Sequence, residues 1–555
     1  MPPANCSVII VGGGPCGLML ANELGRRAVS AVVIDQKPST AFNPQANATQ
    51  ARTMEHFRRL GLADEVRALG MPPDYPTDIA YYTRFAKHEL ARFQLPSARQ
   101  AQQTVQTLSG SWSAAELPHR VSQKFVEAVL RRKAESWPGV SINYGWKLVG
   151  VAEDDRGIAV EMEHIVDGAR RTVRGAFLVG ADGARSSLRA RIGASYEGET
   201  GVVRNFMGGR MHAVYLRAPT FYQTIRHKPA WMHVTFNRDR RALMAAVDGQ
   251  SEFAFHTQLH PDEDDQAITE EAARSMFETA VGVPIDIEIL GRVTWTAGHT
   301  LVADRFRRGR IFIGGDAAHL FTPTGGLGYN TAVEDAVNLA WKLAAVVKRQ
   351  AGPALLDTYE FERQAIARRN TGYARAFADS LGRLVPAPEI EDETLEGQAA
   401  RRVAGAYFNK HARAEFNIPG ITFGGRYDGS PGVISDGTSP PPDTANEYRP
   451  SACPGGRPPH LWLADGRSLF DSFGMDWTLL RLGPQAPDAE PFMRSAGALG
   501  LPLDVVSAPS EQARDLYAAD LALIRPDQIV GWRGNSTTAA REILTSISFR
   551  SAGVG

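Results

Sequence analysis

Three glycines spaced as GxGxxG, namely Gly12, Gly14 and Gly17 in VGGGPCG, are the residues whose types and spacing most directly dictate a chemistry. Gly12 permits a tight turn, Gly14 lets backbone N–H groups approach a pyrophosphate, and Gly17 lets a helix pack against the preceding strand. Pro15 suits the first position of that helix, whose N-terminus favours phosphate charge. An acid, Asp35, followed by Gln36, ends the next apolar run roughly 20 residues on, where a carboxylate accepts hydrogen bonds from an adenosine ribose. Two more acids close apolar runs, Asp182 in FLVGADGAR and Asp316 in IFIGGDAAHLFTPTGGLGYN. Asp316 leads into Pro323, which stiffens a loop and offers no N–H, and into Gly325, Gly326 and Gly328, which bring backbone close to a ring. Tyr329 and Asn330 then open a helix, so its free N–H groups and dipole face whatever the loop holds.

These residues need a βαβ frame. CSVIIV (6–11) is the β-branched run of a buried parallel strand, LMLANELGRR an amphipathic helix, and AVVID a second strand. Dinucleotide binding follows from the strand before, the helix after and the acid at the next strand end. No second GxGxxG follows a strand, and no CxxxxC occurs, which excludes disulfide reductases and enzymes with two standing nucleotide domains. From about Asn205 to Thr300 the pattern turns to strands (MHAVYLRA, WMHVTFN, RALMAAVD, SEFAFHTQL) rich in aromatics and histidine, which suits an aromatic ligand. In WMHVTFN, Trp231, His233, Thr235 and Asn237 share one face. Met232, Val234 and Phe236 share the other, which is the better core face and leaves the first to line a pocket or meet solvent.

Lys+Arg and Asp+Glu are both 61 in 555 residues, so no global basic field exists to hold nucleic acid. Three cysteines, Cys6, Cys16 and Cys453, form no CxxC pair, which fits a reducing cytoplasm. The N-terminus lacks the long apolar stretch of a signal peptide, and no run reaches the roughly 20 apolar residues that span a bilayer. No metal site is expected.

The opening fingerprint and the DG and GD motifs around Asp182 and Asp316, in that order, resemble the para-hydroxybenzoate hydroxylase superfamily, the group A FAD-dependent aromatic monooxygenases. The resemblance covers about the first 380 residues. It implies an α/β (α+β composite) fold: a Rossmann-like FAD-binding domain in two parts (1–200 and 299–400) with an inserted β-sheet substrate domain (201–298). FAD would be the cofactor, with NADPH or NADH as transient cosubstrate, and O2 and a small phenolic or hydroxylated aromatic compound as the other reactants. Oxygen would pass through a flavin C4a-hydroperoxide. Asp316 would take the ribityl hydroxyls, Pro323 and the glycine loop the ring, and Asp182 the FAD chain and nicotinamide path. Gln123 in HRVSQKF stands where the family has a flavin-touching glutamine, and Arg52 and Glu55 fit its Arg-Thr-x-Glu helix start. The chain departs where Gln45 replaces the family's usual arginine.

The family's chemistry needs a deprotonated phenol, and His233 and Tyr222 are the expected proton acceptors. Tyr215, Arg226, His227, Trp231 and Pro323 are the expected substrate contacts. TYEFER (358–363) resembles the family's TYExER, its charges read as a solvated face. Residues 401–459, rich in Gly and Pro toward their end, read as an extended linker. Residues 460–555, with a hairpin at Pro526-Asp527, resemble the thioredoxin-like C-terminal domain of phenol hydroxylases and (hydroxyphenyl)propionate hydroxylases. Lacking CxxC, that domain would be structural or a subunit contact in a homo-oligomer. Two rivals remain: a protein of the same fold acting on a polyketide-like fused-ring compound, and a catalytically silent flavin-binding assembly protein.

Overall fold

The computed structural model describes residues 5–265 and 267–550. Val8–Val11 is wholly buried at the centre of a six-stranded sheet, between the parallel strands Ala31–Asp35 and Phe177–Gly180. Each of its valines and isoleucines contributes roughly 1.5–3 kcal/mol by leaving water, which is why this strand carries no polar residue. Ile311–Ile313 lies beyond Phe177–Gly180, and Val140–Tyr144 beyond Ala31–Asp35. The helix Pro15–Gly25 crosses over and packs against the long helix Leu327–Val347, so the two helices that begin at glycine loops lie side by side.

A seven-stranded sheet forms the second body. Its order is Glu288–Ala297, Gly209–Arg217, Glu252–Gln258, Ala242–Ala246, Met232–Thr235, Ile79–Tyr82 and Glu89–Phe93. The last two strands come from before the insertion, so the sheet expected to hold substrate draws on more of the chain than 201–298. The helix Glu270–Val281 covers one face through Phe277, which meets Phe255 edge-on. The helix Leu395–Phe416 covers part of the other, where Phe408 stacks on Tyr81. That helix and the short Pro419–Phe423 occupy the start of the segment read as linker, which is irregular only from Gly424 onward. Among the described residues no helix is long and apolar enough to cross a membrane.

The C-terminal unit is thioredoxin-like. Trp477–Leu482 pairs parallel with Leu503–Ala508 and antiparallel with Leu521–Ile524, which turns through Pro526 and Asp527 into Val530–Gly534. Phe492 and Leu544, on the helices Glu490–Leu499 and Ala540–Ser548, bury against this sheet. All three cysteines are free.

Candidate active site

At the C-terminal edge of the central sheet the chain turns away from four neighbouring strands, and Gly12, Asp35, Asp182 and Asp316 meet there. The glycines divide their roles by space. Gly12 has φ +116°, and a Cβ there would lie 2.0 Å from the Ala181 carbonyl oxygen. A Cβ on Gly17 would lie 1.9 Å from the Gly12 oxygen, so the helix and strand already touch. A Cβ on Gly14 would meet nothing within 4 Å. That open space faces the start of a helix with no side-chain cap, as a pyrophosphate requires. Asp35 accepts from the Gly13 N–H (2.7 Å) and the Lys37 N–H (2.8 Å), which fixes its carboxylate beside the loop, while Gln36 is exposed. Asp316 stands exposed beyond the left-handed Gly315.

The second glycine loop is built to stay open. Thr322 and Thr324 are buried while Pro323 between them is exposed, so the proline is what the loop presents. Gly325 and Gly326 have φ of +73° and +62°, and Gly326 caps Leu327–Val347 with no side-chain hydrogen bond, which leaves that helix N-terminus available to a negative charge. Asn330 locks the loop to the segment before it. Its Nδ2 donates to Ala48 (3.0 Å) and Gly326 (2.6 Å), and its Oδ1 accepts from the Gln50 N–H (2.8 Å) and the Thr53 hydroxyl (2.7 Å). Ala48 also joins the loop to the seven-stranded sheet. It packs on that sheet's core, and its Cβ lies 3.2 Å from where a Gly326 Cβ would stand.

The sheet face on this side alternates buried and half-exposed residues. Met232, Leu243, His256, Ala213 and Trp295 are half-exposed and Val293 is exposed, whereas their neighbours on the opposite face are mostly buried. Ala48 thus joins the uncapped helix and its glycine loop to the sheet that carries the apolar strip, and we call the region bounded by the dinucleotide cradle, that loop and the strip the cleft.

The chain matches the FAD binding domain family over residues 5–374 and the aromatic-ring hydroxylase C-terminal family over 451–550. It is 31% identical to the FAD-dependent monooxygenase apdD of Emericella nidulans, covering 97% of this chain and 88% of that protein. Phenol 2-monooxygenase of a Pseudomonas species is 29% identical over 96% and 91% of the two chains. The structure of RebC with bound 7-carboxy-K252c superposes with a TM-score of 0.88 at 29% identity, covering 99% of each chain. The chain belongs to the FAD-dependent aromatic-ring hydroxylases. It is a monooxygenase with FAD as cofactor and NAD(P)H as electron donor.

Several residues of the hydroxylase stand elsewhere than the sequence suggested. His233 faces away from the cleft. It pairs with Met244, is 0% exposed beneath the Glu270–Val281 side of the sheet, and is enclosed by Tyr82, Phe85 and Phe221. Burial pushes its pKa down to about 3, and neither ring nitrogen makes a well-formed hydrogen bond. Tyr222 belongs to the same cluster. Its hydroxyl meets that of Tyr75, and burial, then Tyr75, holds its pKa well above the usual phenol range. The alternation in WMHVTFN holds within the strand Met232–Thr235 with the faces reversed, while Trp231, just before the strand, meets Phe416 on the side opposite His233. His227 Nε2 meets the Lys87 carbonyl (2.6 Å), and Arg226 is the left-handed cap of Phe221–Ile225. Tyr215 does look toward the cleft, with its hydroxyl tied between Lys124 and Glu252.

Among the expected flavin contacts, three side chains are committed to protein. Asp182 caps Ser187–Arg191 through Ser186 (2.6 Å) and the Ser187 N–H (2.9 Å). Gln123 donates to Glu127 (2.7 Å). Arg52 donates to the Asp527 and Gln528 carbonyls (3.1 and 3.0 Å) and is a joint to the C-terminal domain. Gln45 is exposed on the loop before Ala46.

Other residues went unread. Asp335 receives the Gly315 N–H (3.0 Å), His319 Nε2 (2.6 Å) and Arg363 Nε (2.8 Å), and so holds the turn that presents Asp316. Burial opposes its charge, but His319 and Arg363 keep its pKa below the usual carboxylate range. Glu362 and Arg363 of TYEFER are therefore buried partners rather than a solvated face. The signal was present in His319 of DAAH and Arg363 of TYEFER, two basic residues that share the carboxylate of Asp335 in the helix between them.

Proposed function

We propose that the substrate is a hydroxylated aromatic compound with room for more than one ring, lying between the Pro323 loop and the half-exposed strip of the sheet. The observation that supports this is the strip's width. It runs over five neighbouring strands, from Met232 to Val293, and at about 4.8 Å per strand spacing that is roughly 19 Å, wider than one phenol ring. The structures of RebC with 7-carboxy-K252c and of aklavinone-11 hydroxylase with aklavinone (TM-score 0.81, 26% identity) hold multi-ring ligands in chains of this fold.

Bound FAD supplies the redox chemistry that takes electrons from NAD(P)H and activates O2. The chain's own residues orient and deprotonate the ring. His256 replaces His233 in this reading. It lies in the strip, paired with Ala213 and Leu243, with Trp295 edge-on at 5.9 Å. Burial lowers its pKa to about 4, so it is neutral near pH 7. Its Nδ1 is buried without a hydrogen-bond partner, and its Nε2 is the nitrogen we assign to accept a ring hydroxyl proton. Asn330 and Ala48 hold the loop opposite, and Pro323 closes the cleft without adding an N–H that would compete for the hydroxyl.

The test is NAD(P)H oxidation by the yellow holoenzyme against phenol, naphthols and hydroxyanthraquinones, with product mass spectrometry. Multi-ring compounds should stimulate oxidation and gain one oxygen. Stimulation by phenol alone would overturn the width reading, and no stimulation by any hydroxylated aromatic would overturn the substrate class. His256→Asn should lower kcat about 100-fold without slowing flavin reduction by NAD(P)H. Unchanged kcat would return His256 to a packing role.

A further inference from the structure

Arg120 precedes Gln123 in HRVSQ and is 7% exposed. The other deeply buried arginines of the hydroxylase meet carboxylates or carbonyls. Arg67 meets Glu116, Arg363 meets Asp335, Arg457 meets Glu55, and Arg525 meets Glu362 and Asp527. Arg241, without a carboxylate, donates to the Thr235 carbonyl. Arg120 alone among these has neither a hydrogen bond nor an ion pair. Its guanidinium lies 4.4 Å from the centre of the Trp231 ring, and Trp231 in turn meets Phe416 edge-on. Stacking on an indole recovers part of the cost of taking a cation out of water, but a buried, unpaired guanidinium remains expensive. Its nitrogens are not among the buried polar atoms sealed from solvent, so they open into space rather than into packed protein. Burial is what lowers its pKa, to about 10, and it stays charged near neutral pH.

The surrounding backbone places that space. Thr49 and His119 exchange N–H···O bonds of 2.9 and 2.8 Å, and the Gln123 N–H reaches the Ala46 carbonyl at 2.7 Å. Arg120 is thus anchored on the segment whose Ala48 touches the Gly326 loop. His119 is buried on the side of Arg67 and Val66, and Arg120, next in an extended segment, projects the other way onto Trp231. Met232, the residue after Trp231, begins the half-exposed strip.

We propose that Arg120 is the anchor for an anionic oxygen of the substrate, a carboxylate on the aromatic ring system, at the Met232 end of the cleft. This rests on the strip being the substrate site. Trp231 serves as the platform that holds the guanidinium flat, so that its planar fork is presented edge-on to a carboxylate. The ligand would be a hydroxylated aromatic acid, with the hydroxyl toward His256 and the carboxylate at Arg120.

The experiment compares a matched pair of probes, hydroxynaphthoate and naphthol, binding to the FAD-loaded enzyme, read from the perturbation of flavin absorbance at fixed ionic strength. The wild type should bind the acid at least about tenfold more tightly. Arg120→Met should abolish that preference, and Arg120→Lys should retain part of it, with naphthol binding unchanged in both. Equal affinity of the wild type for the two probes, or a preference that survives in Arg120→Met, overturns the assignment while leaving the function standing. If neither probe binds the wild type, the substrate site itself is wrong and the assignment falls with it. KM values for NADH and NADPH provide the second arm. They should not change, and a rise confined to the coenzyme in Arg120→Met would assign the anion to the nicotinamide donor instead and overturn the substrate anchor.

Discussion

At the joint between the flavin domain and the C-terminal domain, Arg525 places two hydrogen bonds on Glu362 (2.7 and 2.9 Å) and two on Asp527 (3.0 and 2.7 Å). In the flavin cleft Arg120, nearly as buried, has none. The joint is saturated around that core. Lys342 donates to Glu362 (2.6 Å) and Asn338 (2.8 Å), Ser430 donates to Glu362 (2.6 Å), and Asn338 donates to Asp527 (3.0 Å). The cleft leaves Arg120 and His256 Nδ1 without hydrogen-bond partners, the space at Gly14 unfilled and the start of Leu327–Val347 without a side-chain cap. Where a protein supplies both members of every buried pair, the charges hold the fold together. Where it supplies one, the other is expected from a ligand.

Substitution at the two ends of this comparison should therefore act in opposite directions. Glu362→Gln leaves Arg525 and Lys342 facing a neutral amide in a sealed site, and should cost about 3–5 kcal/mol of stability, read as a lower denaturant midpoint. Arg120→Met, without aromatic ligand, removes a cation that nothing pairs and should be neutral or stabilising. Equal losses in the two variants would erase the distinction between joint and cleft.

Acid should attack the joint before the cleft. Glu55 is buried, receives Arg457 (2.5 and 3.0 Å) and Arg52 (3.0 Å), and despite the opposing effect of burial its pKa falls from 4.5 to about 2 through Arg457 and then Arg52. Because the folded value lies below the unfolded one, this stabilisation is complete above about pH 4.5 and disappears as pH falls toward about 2. The loss is about 3 kcal/mol at most. Urea unfolding followed from neutral pH into that window should show it, and Glu55→Gln should flatten the curve while lowering stability at neutral pH.

The parts of this architecture that were legible in the sequence are those set by backbone chemistry. Gly12, Gly14, Gly17 and Asp35 work through turn geometry and spacing within one βαβ unit, so a few consecutive residues suffice to read them. The Pro323 loop is legible for the same reason. The joint was not, because whether Glu362 and Arg363 are solvated depends on Arg525 and Asp335, which the chain brings in from elsewhere. Arg52 is illegible likewise, since beyond nearby Glu55 the carbonyls it meets lie 475 and 476 residues away. On the substrate sheet the period-two pattern separated the faces. Only the packing of Phe277 over Phe255 shows which face is covered, and that contact is absent from any local pattern.

The two histidines of that sheet carry the comparison to its smallest expected effect. His233 and His256 both lack good hydrogen bonds, and burial makes both neutral, yet one is enclosed by rings and the other lies in the cleft. His233→Phe exchanges an unpaired polar ring for an apolar one among Tyr82, Phe85 and Phe221. It should leave hydroxylation rates unchanged and raise stability by about 0.5–1 kcal/mol near pH 7. The gain should grow as pH falls below about 6.5, because the unfolded chain takes up a proton there that the folded His233 refuses until about pH 3. A lower kcat in His233→Phe at full flavin loading would place that ring in the chemistry after all, and would mean that the helix-covered face of the sheet is not isolated from the cleft.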